Sequence, residues 1–232
     1  MSDIIGNMID AGIKAGPVIA EEQIELAGEP IHTIKLEGFF EERCPDKVFL
    51  KKFLDSCEGM KFIVAGGAVR DAYCHNGKMP NDIDLFFKEE SDFEETLSRF
   101  GEDKSKKIIS KKENDYNISL EIEDEDQVQY KIQLINFVYA LTIEELFQEF
   151  DFTICQFACD FENLYMGKYA VKDALSKQLV VNTLTYPVSS LRRILKYKDQ
   201  GYSMCSGAMK DFILKVRNGD FPEENLDIEY ID

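Results

Sequence analysis

The spacing of apolar residues along this chain predicts a sheet flanked by helices. After Asp46, apolar residues return every three or four positions as far as Cys57, which predicts a helix that ends near Gly59. The apolar run that begins at Lys61 predicts a buried strand, and residues 68–74 predict a short helix directly after it. A strand and a helix thus follow each other closely around one glycine-rich turn.

The rest of the chain continues this mixture of strands and helices. Alternating or continuous apolar runs predict strands over residues 82–87, 116–123, 128–135 and 152–160, of which the middle two form a hairpin. Helical spacing predicts helices over residues 91–100, 142–147, 188–200 and 207–218. Ser91 with Glu94, and Thr142 with Glu145, have the spacing of capping boxes, whereas the lysine-rich stretch 104–112 predicts a connector. Together these elements predict an α+β fold with a mixed central sheet flanked by helices, followed by a small helical region.

Composition agrees with a folded protein of moderate size. Of the 232 residues, 44% are hydrophobic and 12% are aromatic, which excludes a largely disordered chain. At this length we expect one main domain with a helical appendage. The predicted division is an N-terminal extension (1–45), a main domain (46–181), a helical segment (182–219) and an acidic tail (220–232).

Charge and cysteine content indicate which cellular environment and which kinds of binding partner to expect for this protein. The formal net charge of −17 repels polyphosphate backbones, so we expect no broad nucleic-acid surface, although a small anion held through metal ions is compatible with it. No apolar run approaches the roughly 18 residues that cross a bilayer, and the N-terminus lacks the basic region of a signal peptide. We therefore expect a soluble, cytoplasmic protein without a membrane partner. The six cysteines show no CxxC spacing and favour free thiols over zinc sites or disulfides.

Two adjacent glycines, Gly66 and Gly67, stand between the first predicted strand and the helix after it. Because neither has a Cβ, both allow a close approach between the backbone and a ligand. The unpaired N–H groups at the start of the following helix favour an anion, and phosphate is the most natural one. A plain tight turn would use the same residues, so this signal alone leaves both interpretations open.

Two carboxylates, Asp82 and Asp84, follow about fifteen residues later. In a strand, residues two apart project to the same face, so both acids point together while Ile83 faces the core. Neighbouring carboxylates repel each other unless cations intervene, and Mg²⁺ (or Mn²⁺) binds carboxylate and phosphate oxygens. A solvated face of an edge strand is the alternative. The nearby glycine turn favours the metal site, where paired ions stabilise both oxygens of a phosphoryl displacement.

Two stretches of the chain resemble motifs of the polymerase β-like nucleotidyltransferase superfamily. The group of tRNA CCA-adding enzymes and bacterial poly(A) polymerases has Gly-Gly-x-Val-Arg-Asp followed by Asp-x-Asp, and this chain has these residues at positions 66–71 and 82–84. The family's Arg-Arg-Asp-Phe-Thr-Ile is similar to residues 149–154, which read Glu-Phe-Asp-Phe-Thr-Ile. The predicted helix within residues 187–202 resembles the family's neck. The resemblance covers about residues 60–203.

This resemblance implies a nucleotidyltransferase fold, with residues 46–181 as the head domain and residues 182–219 as a neck. It implies the transfer of a nucleoside monophosphate from an NTP such as ATP to an acceptor hydroxyl, with release of pyrophosphate. Asp82 and Asp84 would be catalytic and would hold Mg²⁺ (or Mn²⁺). The implied nucleotide-binding residues are Gly66, Gly67, Arg70, Asp71 and Asp151. For Arg70, an ion pair with Asp71 is an equal alternative to a phosphate contact.

Three departures from the family bear on activity. Glu149 and Phe150 replace two arginines associated with the incoming nucleotide, and neither can donate a hydrogen bond to phosphate. The family's Glu-Asp-x-x-Arg, which templates C and A, falls on Thr-Tyr-Pro-Val-Ser at residues 185–189, which argues against CCA addition. Gln133 stands where many superfamily members have a third carboxylate that acts as a base. Glu121 on the partner strand is either a substitute or an exposed hairpin residue.

Two main hypotheses follow. In the first, the chain is a metal-dependent nucleotidyltransferase acting on a small molecule, a protein or an RNA end. In the second, it is a catalytically degraded head domain that binds a nucleotide or a protein partner without turnover. The acids favour the first hypothesis, whereas the lost arginines and Gln133 favour the second. Negative charge and the short stretch past the neck argue against extensive tRNA binding, and oligomerisation through residues 1–45 and the last helices stays open.

Overall fold

One mixed sheet organises the described part of the chain, which in this computed structural model comprises residues 31–41, 45–75, 80–140 and 142–222. Its strands are β1 (Ile31–Lys35), β2 (Ile63–Ala65), β3 (Ile83–Phe87), β4 (Lys107–Glu113), β5 (Asn117–Glu123), β6 (Gln129–Tyr139), β7 (Phe157–Cys159) and β8 (Asn163–Gly167). They lie in the order β1–β8–β7–β2–β3–β6–β5–β4. Strands β3 and β6 run parallel, and the other neighbouring pairs run antiparallel. The predicted α+β fold with a mixed sheet is confirmed.

Helices cover the sheet and continue beyond it. They are α1 (Leu36–Phe40), α2 (Pro45–Asp55), α3 (Gly67–Cys74), α4 (Glu90–Glu102), α5 (Ile143–Glu149), α6 (Ala170–Leu175), α7 (Pro187–Asp199) and α8 (Ser206–Asn218), with a 3₁₀ turn at Thr153–Cys155. Helix α5 begins with the predicted capping box, in which the Thr142 hydroxyl accepts a hydrogen bond from the Glu145 N–H and the Glu145 carboxylate accepts one from the Thr142 N–H. Within the described ranges, no helix has the length and apolarity needed to cross a membrane.

The capping box predicted from Ser91 and Glu94 is wrong. Helix α4 begins at Glu90, and the residue before it, Glu89, caps it without a side-chain hydrogen bond. Ser91 therefore lies inside the first turn instead of preceding it. The Phe93 N–H donates to the Glu89 carbonyl, so the first helical turn starts from Glu89 and includes Ser91.

The prediction that the lysine-rich stretch is a connector is also wrong, because most of this stretch forms strand β4. This strand pairs with β5 at one edge of the sheet, and its side chains are almost all exposed. Backbone pairing holds the strand in place, so the sequence shows no apolar alternation, and lysines are common on edge strands. The extended run predicted over residues 152–160 is shorter than expected: it contains the 3₁₀ turn and then β7.

Part of the predicted N-terminal extension belongs to the sheet. Strand β1 pairs with β8 along its whole length, from Ile31 opposite Gly167 to Lys35 opposite Asn163. Residues 1–30, and the acidic tail beyond Pro222, lie outside the described residues.

The two faces of the sheet differ in character, and this difference positions the site. On one face, Leu85 of β3 and Leu134 of β6 belong to the main core, together with side chains of α2, α3 and α4. On the opposite face, Phe86 and Ile135 pack with Phe147 of α5 in a smaller core. Alternation along the strands places the polar residues of β3 and β6 on this second face, where they border a pocket instead of a closed core.

Candidate functional site

The Gly66–Gly67 turn joins β2 to α3 at the edge of the pocket. Gly66 has a φ of +83°, a backbone conformation that favours glycine, and its N–H donates to the Phe157 carbonyl over 2.8 Å. A Cβ at Gly66 would lie 3.7 Å from Oδ2 of Asp84. The turn therefore brings a backbone without side chains next to one of the two acids.

Asp82 and Asp84 line the same pocket. Asp84 lies in β3, opposite Ala65 of β2 on one side and Gln133 of β6 on the other, and Asp82 lies just before the strand. Both acids are half-buried. The structure thus places the two predicted metal ligands in the lining of one cavity, as the two-residue spacing predicts.

Electrostatic repulsion between these acids is only partly offset by cations. Burial, and then the neighbouring Asp82 carboxylate, raise the pKa of Asp84 to about 7, whereas Arg193, Lys196 and Lys131 act in the opposite direction. Asp84 therefore holds its proton more tightly than an ordinary aspartate does. An added cation at this position would compete with that proton.

Two side chains of β6 contact Asp82. The amide of Gln133 donates to Oδ2 of Asp82 over 3.4 Å, and Nζ of Lys131 lies 3.9 Å from the same oxygen. Glu121 pairs with Lys131 in the β5–β6 register, is exposed and does not line the pocket. Of the two interpretations of Glu121, the exposed hairpin residue agrees with the structure.

Arg70 forms an ion pair with its neighbour Asp71. Its Nε donates to Oδ1 of Asp71 over 2.8 Å, and its guanidinium lies 5.5 Å and 5.8 Å from the ring centres of Tyr197 and Tyr202. Arg70 is buried, and both it and Asp71 line the pocket. The structure therefore shows the ion pair, and the phosphate contact of Arg70 stays a prediction.

Asp151 connects the main domain to α7. Its carboxylate accepts a hydrogen bond from the Ser190 hydroxyl over 3.1 Å and lies 3.2 Å from Nη1 of Arg193. It is buried at the side of the pocket. Asp151 thus holds α7 at the side of the pocket, and the nucleotide contact predicted for Asp151 stays a prediction.

The pocket has a volume of about 200 Å³ and lies between the second face of the sheet and α7. All the predicted site residues line it, and so do the substituted residues Glu149 and Phe150. Sequence reasoning missed the cations of α7, Arg193 and Lys196, although the Arg-Arg pair in the neck-like helix was a visible signal. It also missed an aromatic wall, in which the rings of Tyr116 and Tyr186 each contact Phe137 edge-on.

The residues present fit a divalent cation with a bound anion. Mg²⁺ is commonly held by one or two carboxylates together with water and substrate phosphates, so two acids suffice. Among the described residues, no group of three or more His, Cys, Asp and Glu side chains forms a metal cage. Two buried donors that line the pocket, Nη1 of Arg70 and Oγ of Ser189, have no hydrogen-bond partner within the described part of the chain. These donors suit an anionic ligand.

Solved CCA-adding enzymes resemble this fold over about four fifths of the chain. The Thermotoga maritima CCA-adding enzyme complexed with tRNA is 18% identical, with a TM-score of 0.51, and the match covers 80% of this chain and 46% of that one. An apo form of a CCA-adding enzyme is 20% identical, with a TM-score of 0.54 and coverage of 80% and 48%. A complex of a CCA-adding enzyme with ATP is 19% identical, with a TM-score of 0.53 and coverage of 81% and 46%. These identities show the nucleotidyltransferase fold alone, and the chain spans just under half of each enzyme.

A phage protein is related in sequence. Gabija anti-defense 2 of Bacillus phage SPbetaL7 is 26% identical over 164 residues, which make up 66% of this chain and 37% of that protein. The chain thus spans little more than a third of this relative. A family model described as Gad2, Gabija anti-defense 2 family protein, matches residues 40–177, which is more than half of the chain. The predicted resemblance to CCA-adding enzymes therefore holds for the fold, and the chain belongs to the Gabija anti-defense 2 family.

Proposed function

We propose that this chain is a metal-dependent nucleotidyltransferase that transfers a nucleoside monophosphate from an NTP to an acceptor hydroxyl. One observation carries the proposal: Asp82 and Asp84 lie side by side at a pocket bordered by the Gly66–Gly67 turn. Two close carboxylates that repel each other at neutral pH are costly for a fold that does not use them. The nucleotidyltransferase fold supports this use of the two acids.

Asp82 and Asp84 would hold Mg²⁺ (or Mn²⁺), which when bound would neutralise charge on the triphosphate. The turn lets phosphate oxygens approach the N–H groups at the start of α3. Arg193 and Lys196 add positive potential from the opposite wall.

The reaction consists of one displacement at phosphorus. The acceptor oxygen would form a bond to the α-phosphorus while the bond to the leaving pyrophosphate breaks. Gln133 cannot take up the proton of the acceptor hydroxyl, because an amide is not a base. That proton would pass to solvent water.

The name of the phage relative suggests the setting of this activity. We extend to this chain the role of countering Gabija defence, with the acceptor among the small molecules, proteins or RNA ends on which that defence depends. An acceptor that contacts only a small surface would agree with the acidic character of the chain, because negative charge disfavours extensive tRNA contacts.

A second function, binding without turnover, is favoured by a different observation. Asp82 already has two partners, because Gln133 donates to it and Lys131 lies 3.9 Å away. A carboxylate engaged in this way has less capacity for a cation. In this alternative the pocket binds a nucleotide, or the chain binds a protein partner, and no pyrophosphate is released.

Pyrophosphate release separates the two functions. The purified chain would be incubated with each of the four NTPs, Mg²⁺ or Mn²⁺, and a panel of acceptors. The enzyme hypothesis expects release that Asp84→Asn abolishes and that Asp126→Asn, at an exposed carboxylate in the β5–β6 turn, leaves unchanged. Absence of release with every acceptor, together with heat of NTP binding by calorimetry, would favour the binding function. Equal release by wild type and Asp84→Asn would contradict the metal assignment.

A further inference from the structure

The register between β3 and β6 places a lysine beside the two acids. In this parallel pairing Asp84 lies opposite Gln133. Counting back two residues on each strand brings Asp82 next to Lys131. Residues two apart in a strand project to the same face, so Lys131 and Gln133 both lie on the side of the acids. The sheet itself therefore sets the place of this lysine.

The ammonium of Lys131 lies towards the acids although another carboxylate is near. Glu121 lies directly opposite Lys131 in the antiparallel pairing of β5 with β6. Nζ of Lys131 nevertheless lies 3.9 Å from Oδ2 of Asp82, its ion-pair partner within the described ranges. Burial and Asp82 raise the pKa of Asp84, and Lys131 is one of the cations that oppose this rise. The positive charge of Lys131 therefore acts on both acids.

The site has ligands for one divalent ion but lacks the third carboxylate that would support a second. Two ions about 3.5–4 Å apart commonly stabilise the attacking and leaving oxygens of a phosphoryl displacement. Here Asp82 and Asp84 have the amide of Gln133 as their neighbour, and an amide adds no negative charge. In the part of the chain that the structure describes, no third His, Cys, Asp or Glu joins them in a group that could hold a metal. Two carboxylates suffice for one Mg²⁺, because water and substrate phosphates complete its octahedron.

We propose that Lys131 takes the place of a second divalent cation, so that the site holds one Mg²⁺ (or Mn²⁺) and one ammonium. This inference rests on the proposed nucleotidyl transfer and specifies how that site carries its positive charge. An ammonium has three N–H donors and one positive charge, which suit an oxygen of the α-phosphate.

Lys131 keeps its protons during the reaction. The bond from the acceptor oxygen to the α-phosphorus forms, the bond to pyrophosphate breaks, and the proton of the acceptor hydroxyl passes to solvent water. The contribution of Lys131 is to neutralise negative charge while these bonds change.

Counting bound Mn²⁺ tests the proposal without any acceptor. The chain would be mixed with an equal amount of an ATP analogue that has a methylene group between the α- and β-phosphorus atoms, so that pyrophosphate cannot leave. Mn²⁺ is then added, and the electron paramagnetic resonance signal of free Mn²⁺ gives the amount bound. The analogue brings one ion with it, and we expect one Mn²⁺ per complex. Two Mn²⁺ per complex would overturn the proposal.

Equilibrium dialysis separates this proposal from the proposed function on which it rests. Dialysis measures whether the complex of Mn²⁺ with the analogue binds to the chain at all, and we expect that it does. Absence of binding would overturn nucleotidyl transfer itself, and this inference with it. Binding with two ions would leave nucleotidyl transfer standing and overturn only the role of Lys131.

Lys131→Glu should convert the site to one for two ions. A carboxylate at this position replaces a cation by a ligand, so the count should rise from one to two. Lys107→Glu is the matched control, because it makes the same charge change at an exposed residue of β4 outside the pocket, and it should leave the count at one. Should Glu121 opposite residue 131 unfold the variant by repulsion, the double variant Lys131→Glu with Glu121→Gln replaces it. A count of one in the folded variant would overturn the proposal.

Kinetics provide a second readout once pyrophosphate release has identified an acceptor. Lys131→Met should lower kcat about tenfold and leave KM for the NTP nearly unchanged, because the charge that develops during the displacement loses a cation. Lys131→Arg keeps a cation and should recover most of the rate. An unchanged or higher kcat for Lys131→Met would overturn the proposal. Tighter Mn²⁺ binding by that variant would then show that Lys131 only competes with the metal for Asp82.

Discussion

Asp84 and Gln133 lie directly opposite each other in the parallel pairing of β3 with β6. From this position the Gln133 amide donates to the neighbouring acid, Asp82. An amide at this place supplies a hydrogen bond without adding charge. The number of negative charges in the pocket therefore depends on residue 133.

Replacing Gln133 by Glu should strengthen metal binding. A third carboxylate beside the pair adds a hard oxygen ligand, and we expect the affinity for Mg²⁺ or Mn²⁺ to rise about tenfold, as measured by calorimetry. The control is Gln129→Glu on the same strand, where Gln129 is exposed and contacts Glu123 outside the pocket. Equal changes in the two variants would show a general charge effect instead of a metal site.

Asp84 should make stability depend on pH in a defined direction. Its pKa is raised from 3.8 to about 7, because burial and then Asp82 disfavour the charged form. The folded chain therefore holds this proton more tightly than the unfolded chain, so the free energy of unfolding falls as the pH rises from about 4 through 7.

Asp84→Asn should remove this pH dependence. We expect the variant to match wild type below pH 4 and to be more stable by about 1–2 kcal/mol at pH 8, since solvent access reduces the full effect of the shift. Urea unfolding at pH 4, 6 and 8 measures this difference. A variant less stable than wild type at pH 8 would contradict the assignment of Asp84 as a repelled acid.

Mg²⁺ should stabilise wild type more strongly above pH 7 than at pH 5. Cation binding requires the deprotonated carboxylate, and protons compete with it on the acidic side. The measurement is the midpoint of thermal unfolding at both pH values, with and without about 10 mM Mg²⁺. For Asp84→Asn, Mg²⁺ should shift this midpoint little at either pH. A metal effect that is independent of pH would point to binding elsewhere.

Gly66→Ala should cost stability and weaken any ligand binding at the turn. The φ of +83° is strained for alanine, and we expect a loss of about 1–2 kcal/mol in the free energy of unfolding. Gly101→Ala in α4 is the matched control, because a Cβ there meets nothing within 4 Å and alanine favours helix. Denaturant unfolding of the two variants should therefore change in opposite directions.

Arg70→Lys should destabilise the contact between α3 and the region of α7. Lysine cannot reproduce both the bond from Nε to Asp71 and the stacking on Tyr197, so we expect a loss of about 2 kcal/mol. The exposed Arg99 contacts the Gly59 carbonyl, and Arg99→Lys should change stability by about 0.5 kcal/mol or less. Comparable losses in the free energy of unfolding of the two variants would mean that the burial of Arg70 does not add to its contribution to stability.

Much of this fold and site was predictable because local rules dominate there. The Gly-Gly turn, the two-residue spacing of the acids and the hairpin of β5 and β6 depend on neighbours in sequence. Strand β4 was missed because its pairing with β5 stabilises it without a buried face. Arg193 was missed as a pocket residue because its position depends on how α7 packs against Asp151, a contact 42 residues away in sequence.

The parallel pairing of β3 with β6 also bears on how the chain folds. The two strands are separated by α4, β4 and β5, so Asp84 and Gln133 meet only after a long loop has closed. Contacts between residues so far apart in sequence form slowly, because the chain loses the entropy of loop closure before it gains the contacts. The pocket should therefore be among the last parts of the molecule to assemble, and a nascent chain that stops before β6 would have both acids and no site.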